Sequence, residues 1–102
     1  MAIRRVTMTF QEIAGLAGFH PEPDGKLNIP ATQASADKLA SVVNESLGQW
    51  QPGEPKMVLT LTGAGPVWGY LAIAHACHGR CAQLIYAAPN ATISVWNHGL
   101  PA

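Results

Sequence analysis

The chain has 102 residues, of which 48% are hydrophobic and 12% are charged, and its six basic side chains balance six acidic ones. This length suits one domain with one core. Zero net charge argues against binding to DNA or long RNA, which requires clustered basic side chains that displace counterions. It still allows a small anion held by backbone amides and one or two basic side chains. The low share of charged residues favours self-association.

The chain shows no sign of a membrane span or a disulfide. No window reaches the ~18 to 20 continuous apolar residues of a span. The first apolar run, residues 6–10, is too short and too interrupted by threonine for a secretory signal. Cys77 and Cys81 lie four residues apart, a spacing with poor disulfide geometry within one helix. We therefore expect reduced thiols and a cytoplasmic protein.

The first half of the chain predicts one strand and one long helix. Residues 3–10 include an alternation of apolar and polar side chains, which is typical of a strand. Residues 11–18 fit either a short helix or a loop, and residues 27–29 predict a short strand after a proline-rich turn. Residues 32–47 have apolar side chains at helical spacing, with Thr32 or Ser35 as a possible cap and Gly48 at the end.

The second half predicts a strand, a helix and two more strands. Residues 57–61 are almost all apolar, as expected of an interior strand. Pro66 suits the first turn of a helix, and Gly79 suits its end. Residues 82–86 and 92–96 are the two further strands. The helix face expected to be buried carries Val67, Tyr70, Leu71 and Ala74, and then Cys77 or His78.

This order of elements predicts an α/β fold. Strands separated by helices pair in parallel through right-handed crossovers, whereas the last two strands form a hairpin. We expect a single domain over residues 1–102, with a mixed sheet and two main helices.

The first candidate site is the glycine loop, formed by Thr62, Gly63, Ala64 and Gly65 and leading through Pro66 into a helix. Such a loop exposes unpaired amides where the helix dipole attracts anions, and phosphate is the usual ligand. In open α/β sheets, ligands bind at this edge. The loop has neither the P-loop nor the dinucleotide-binding pattern. The plain alternative is a tight turn that needs glycine only for backbone shape.

The second candidate is a run of four potential metal ligands within seven residues: His75, Cys77, His78 and Cys81. Structural zinc sites usually join two separated pairs of ligands, so we favour no metal and two cysteines packed in the core. A nucleophilic Cys–His pair lacks an evident third group to orient the histidine.

Two further residues are candidate ligand contacts. Arg80 is the only lysine or arginine after Lys56, and its guanidinium suits phosphate, although an isolated arginine at a helix end is most often a solvated surface residue. Trp68 lies in the first helical turn and can stack on a base, although core or interface packing is the commoner role. All six carboxylates lie at or before Glu54, so the spacing supports no acid–base pair.

Residues 58–96 resemble the small CRISPR-associated ring nucleases of type III systems, which act as head-to-tail assemblies on cyclic tetra-adenylate. The resemblance covers the strand leading into TGAGPVW (62–68), the helix ending in AHACH (74–78) and the strand that closes at Tyr86. The spacing from His75 to Tyr86 is also preserved. The resemblance implies a small Rossmann-like domain of the CRISPR-associated type.

Three departures bear on catalysis. Ala64 stands where the family has the arginine of Gly-Arg-Gly-Pro, and Pro89 replaces a second family arginine. Ala87 stands where an aspartate, taken as catalytic or metal-binding, follows the family's tyrosine. In such a mechanism a metal or base activates the ribose 2′-hydroxyl, and a carboxylate holds the metal. The resemblance therefore implies a ring that is bound but hydrolysed weakly or not at all.

The resemblance also implies a homo-oligomer, in which dimers pair around cyclic tetra-adenylate as a tetramer or filament and sequester it without a cofactor. The expected ligand contacts are Thr62, Gly63, Ala64, Gly65, Pro66, Trp68, His78 and Arg80. One alternative is an active ring nuclease that yields linear di-adenylate, in which His78 and His75 work across the subunit interface with Mn²⁺. The other alternative is a structural or adaptor module without a nucleotide ligand.

Overall fold

The computed structural model describes residues 3–48 and 51–98, so both ends of the expected domain lie outside the described residues. The described elements confirm the α/β class, and they show that residues 11–16 are helical while residues 17–18 form a turn. In chain order they are β1 (Ile3–Thr9), α1 (Phe10–Leu16), α2 (Gln33–Leu47), β2 (Lys56–Thr62), α3 (Val67–Cys77), β3 (Gln83–Ala88) and β4 (Ala91–Asn97).

The four strands form one mixed sheet in the order β1-β2-β3-β4. β2 pairs in parallel with both β1 and β3, whereas β3 and β4 pair antiparallel with an irregularity after Leu84. The predicted parallel crossovers and terminal hairpin are therefore confirmed. Both crossovers step across the sheet in one direction, so right-handed connections place α2 and α3 on the same face, where they pack together.

The core lies between this helix layer and the sheet. Alternate residues of β2 face it, and α1, α2 and α3 each contribute fully buried side chains. Val58, which alternates to the other face, is only 2% exposed, so β2 is the interior strand that its apolar run predicts. The largest fully buried side chains are Phe10, Ile13, Leu39, Leu59, Ile73 and Leu84.

Helix α2 starts and stops at the predicted signals. The Thr32 hydroxyl accepts a hydrogen bond from the Ser35 amide at 3.2 Å, and Gly48 ends the helix with φ +63°.

The prediction of a short strand at residues 27–29 is wrong, because Leu27 and Ile29 pack against the core from an irregular segment. Within the described residues, no helix has the length and apolar character needed to cross a membrane.

The predicted buried face of α3 is only partly right. Cys77 is buried, and Tyr70 and Ala74 pack against the core from partly buried positions, whereas Val67 is 75% exposed and Leu71 is 66% exposed. Gly69 and Ile73 are buried in their place. The sequence does not single out one face, because the helix is apolar on nearly every side. The glycine decides the face instead, since a Cβ at Gly69 would lie 2.9 Å from the Phe10 ring.

Candidate functional site

The glycine loop lies at the carboxyl edge of the parallel strands and is held there by side chains of two helices. Gly63 has φ +98°, a conformation that glycine adopts readily. The Tyr70 hydroxyl of α3 donates a hydrogen bond to the Gly63 carbonyl. The side-chain amide of Gln11 in α1 donates to the Ala64 carbonyl at 2.8 Å. The loop therefore has a fixed shape before any ligand arrives.

The Phe10 ring packs directly beneath the loop. Phe10 is fully buried, and a Cβ at Gly65 would lie 2.6 to 2.9 Å from its ring carbons. Its ring centroid is 5.2 Å from that of Tyr70. Sequence reasoning missed the roles of Phe10 and Gln11, because both reach the loop across more than fifty residues. The local signal was a bulky aromatic residue at the end of β1, just where the chain turns into α1.

Burial raises the pKa of the tyrosine that holds the loop. Desolvation, and then the neighbouring Tyr86, raise the pKa of Tyr70 to about 12. The two rings meet edge to face, with their centroids 5.2 Å apart. The Tyr70 hydroxyl is therefore a neutral donor to the loop over the physiological pH range.

The first turn of α3 leaves backbone donors available to a ligand. Pro66 is the N-cap and supplies no side-chain cap, while its carbonyl accepts from the amides of Gly69 and Tyr70. The preceding amides, those of Val67 and Trp68, have no carbonyl within the helix to bond to. They point out of the positive end of the helix dipole. Because α2 also runs antiparallel to the strands, its N-terminus lies at the same edge of the sheet.

Beside the loop lies an open cleft of about 430 Å³, which we call the loop cleft. Its other wall is the irregular segment that precedes α2. The lining residues are Phe10, Leu27, Asn28, Ile29, Pro30, Ala64, Gly65 and Pro66. Trp68 lines a second depression of about 270 Å³ together with the first turn of α2. The structure thus gathers the predicted contacts from Thr62 to Trp68 at one edge.

His78 and Arg80 lie at the opposite edge of the sheet. Helix α3 runs back from the loop for 11 residues, a length of about 16 Å, before it reaches them. They line a separate cavity with Lys56, the first residue of β2. One chain therefore does not bring these two residues to the loop that precedes them in sequence.

The histidine–cysteine run forms no metal centre within residues 3–48 and 51–98, where no group of three His, Cys, Asp or Glu side chains could hold an ion. His75 is exposed on α3. Cys77 and Cys81 are free and buried, which confirms the prediction of packed thiols. Their mutual hydrogen bond and burial raise the pKa of the Cys77 thiol, while the same bond lowers that of Cys81.

Comparison with models of protein families, with characterised proteins and with solved structures gives no match to this chain. The resemblance to ring nucleases therefore stays a prediction from the motif residues. Ala87, where that family has an aspartate, pairs with Thr62 across β2 and β3, and its carbonyl accepts the Thr62 hydroxyl at 2.8 Å. Ala87 therefore contributes a methyl group, and not a carboxylate, to this part of the carboxyl edge.

Proposed function

We propose that this protein binds cyclic tetra-adenylate at the carboxyl edge of its sheet and sequesters it in the cytoplasm, thereby regulating type III CRISPR signalling. One observation carries the proposal: the uncapped first turn of α3, held by the glycine loop, opens beside the loop cleft. The amides suit a phosphate, and the cleft and Trp68 offer apolar surface to adenine. The resemblance supplies the choice of ligand and the Rossmann-like character of the domain.

Binding without efficient cleavage is the form of this function that the site supports best. The loop cleft is lined by apolar side chains, backbone and one asparagine, and none of its lining residues carries a carboxylate. The Ala87 position, which pairs with Thr62, supplies no carboxylate that could hold a metal. A protein that only binds a messenger lowers its free concentration in proportion to the number of sites, so it must be present at a comparable concentration.

We infer that copies of the chain assemble around the ring as dimers that pair into a tetramer or filament. A groove of about 400 Å³ between α3 and β4, which we call the α3–β4 groove, exposes apolar side chains without a charge among its lining residues. β4 is an edge strand and also contains no charged residue, so it lacks the usual obstacles to strand pairing. The most exposed groove residues are Val67, Leu71, Ile93 and Val95.

A second copy suits this surface because the chain has no net charge and two copies do not repel each other. Four subunits around a ring of four phosphates would present four glycine loops, which matches the symmetry of the ligand. His78 and Arg80 of a subunit lie at the edge away from its loop, so that subunit does not place them on the phosphate its loop holds.

Native mass spectrometry with cyclic tri-, tetra- and hexa-adenylate tests the proposal. We expect intact cyclic tetra-adenylate to remain bound to an oligomer. Ala64→Glu places a carboxylate on the exposed loop and should weaken binding at least ~10-fold, since like charges repel in a dry contact. Ser41→Glu, which adds the same charge on the exposed side of α2, should bind as the unmodified chain does.

The same samples separate the alternatives. Excess labelled cyclic tetra-adenylate is incubated with the protein, with and without Mn²⁺, and its products are resolved by chromatography. Linear di-adenylate formed over many turnovers would show that the protein is an active ring nuclease and would contradict sequestration. Absence of binding to every ring would leave the glycine loop as a turn in a structural module.

A further inference from the structure

The amino edge of the sheet carries an open cavity of about 330 Å³, which we call the basic cavity. Lys56, His78, Arg80 and His98 line it, and none of its lining residues carries a carboxylate. The chain as a whole has six acidic and six basic side chains. Nitrogen donors are therefore concentrated at one place on a protein without net charge.

Backbone hydrogen bonds hold together the three segments that form the basic cavity. Lys56 opens β2, residues 78–80 form the turn after α3, and His98 follows β4. The Arg80 amide donates to the Cys77 carbonyl at 2.9 Å, and the His98 amide donates to the Ala82 carbonyl at 2.7 Å. Because regular elements position all three segments, the cavity does not depend on a long loop.

Aromatic contacts orient the two imidazoles. The centroid of the His78 ring lies 5.6 Å from that of Trp96 and 5.9 Å from that of His98, and the ring centroids of Trp96 and His98 are 6.0 Å apart. The indole N–H of Trp96 donates to the Cys81 carbonyl at 3.3 Å, which anchors the cluster to the start of β3. Packing against Trp96 therefore positions both imidazoles at the wall of the cavity.

Arg80 is the basic residue of the cavity with a buried, unpaired donor. Its Nε atom is buried and has no hydrogen-bond partner among the described residues. An unsatisfied donor on a charged group is unfavourable, and a water, an ion or local strain can account for one in a native protein. The guanidinium presents a planar fork that matches two oxygens of a phosphate.

We propose that the basic cavity binds the phosphate group of a small phosphate ester, with Arg80 as its main contact and Lys56, His78 and His98 around it. The site is distinct from the glycine loop, since α3 separates the two edges of the sheet. It does not depend on the proposed binding of cyclic tetra-adenylate. The cavity is open, so the ester group can project into solvent.

Titration with inorganic phosphate and with adenosine monophosphate, followed by nuclear magnetic resonance, tests this site. We expect saturable shifts of the Trp96 indole N–H and of the His78 and His98 imidazole resonances with both probes. Arg80→Met should weaken binding of each probe at least ~10-fold, because it removes the planar donor fork. Lys26→Met, which removes one positive charge from the exposed turn before α2, should bind as the unmodified chain does.

Three outcomes would overturn the proposal. They are the absence of a saturable shift with inorganic phosphate, a response to adenosine monophosphate alone, and equal binding by Arg80→Met and Lys26→Met. If the amide spectrum shows that Arg80→Met is unfolded, His78→Gln takes its place under the same criteria. Ala64→Glu should retain phosphate binding at the basic cavity, so a loss of messenger binding and a loss of phosphate binding are told apart.

Discussion

Phe10 connects the first strand to the glycine loop through contacts that only small residues allow. Gly63 has a positive φ, whereas Gly65 and Gly69 do not. A Cβ at either of the latter two positions would meet the Phe10 ring at 2.9 Å or less. Gly63 is therefore needed for backbone conformation and also for space, since a Cβ there would meet the Gln11 side-chain oxygen, whereas Gly65 and Gly69 are needed for space alone.

Gly65→Ala should lower the free energy of unfolding by about 1 to 3 kcal/mol, because the added methyl group overpacks against a buried ring. Urea denaturation gives the value. Gly15→Ala is the matched control, since a Cβ at Gly15 in α1 meets no atom within 4 Å and should leave stability unchanged or raise it. Equal effects of the two substitutions would show that Phe10 does not press on the loop.

Tyr70 should titrate late and make stability depend on pH in the alkaline range. Its pKa is raised from 10.0 to about 12 in the folded chain. Between these values the unfolded chain loses the phenolic proton that the folded chain keeps, so the free energy of unfolding falls as pH rises. Absorbance at 295 nm and urea denaturation at pH 9 and pH 11 measure both effects.

Tyr70→Phe should reduce this alkaline fall without abolishing it, because the raised pKa of the Cys77 thiol acts in the same direction. It should also cost about 1 kcal/mol at neutral pH through loss of the bond to the Gly63 carbonyl. If the free energy of unfolding of Tyr70→Phe falls between pH 9 and pH 11 as much as that of the unmodified chain, the fall is due to other titrating groups.

Among the elements, those with local signals were predictable from the sequence. Helix α2 has a capping threonine, apolar residues at helical spacing and a terminal glycine, and all three are used. β2 has a continuous apolar run and is the interior strand. Helix α3 has clear ends but no preferred face in its sequence, so tertiary packing alone decided that Gly69 turns inward.

The candidate site was predictable only where it is local in sequence. The glycine loop and its helix form a contiguous motif, and its position at the sheet edge follows from parallel strand order. The opposite wall of the loop cleft comes from residues 27–30, which carry no motif. His78 and Arg80 are close to the loop in sequence, yet the length of α3 carries them to the far edge.

At the scale of the whole molecule, the helix layer does not cover the full width of the sheet. Two main helices pack on four strands, and the end of the sheet at β4 is left with an open flank beside α3. The α3–β4 groove is the result. Apolar surface of this kind is usually covered in the assembled state of a protein.

Leu71→Glu should weaken self-association at least ~10-fold, because it places a charge among the apolar residues that line the α3–β4 groove. Sedimentation velocity over a range of protein concentrations measures this. Leu16→Glu on α1 is the control, since Leu16 is 68% exposed against 66% for Leu71 but lies outside the groove. A monomeric unmodified chain, or equal weakening by both substitutions, would contradict assembly through this surface.

The antiparallel return of β4 also has a practical consequence for how the molecule can be attached. β1 begins and β4 ends at the same edge of the sheet, three strand spacings or about 14 Å apart. Ile3 pairs with Lys56, and both Lys56 and His98 line the basic cavity, so these two ends of the described chain lie at the edge that carries it. A sensor surface that captures the chain through either end should therefore leave the glycine loop facing the solution and crowd the basic cavity.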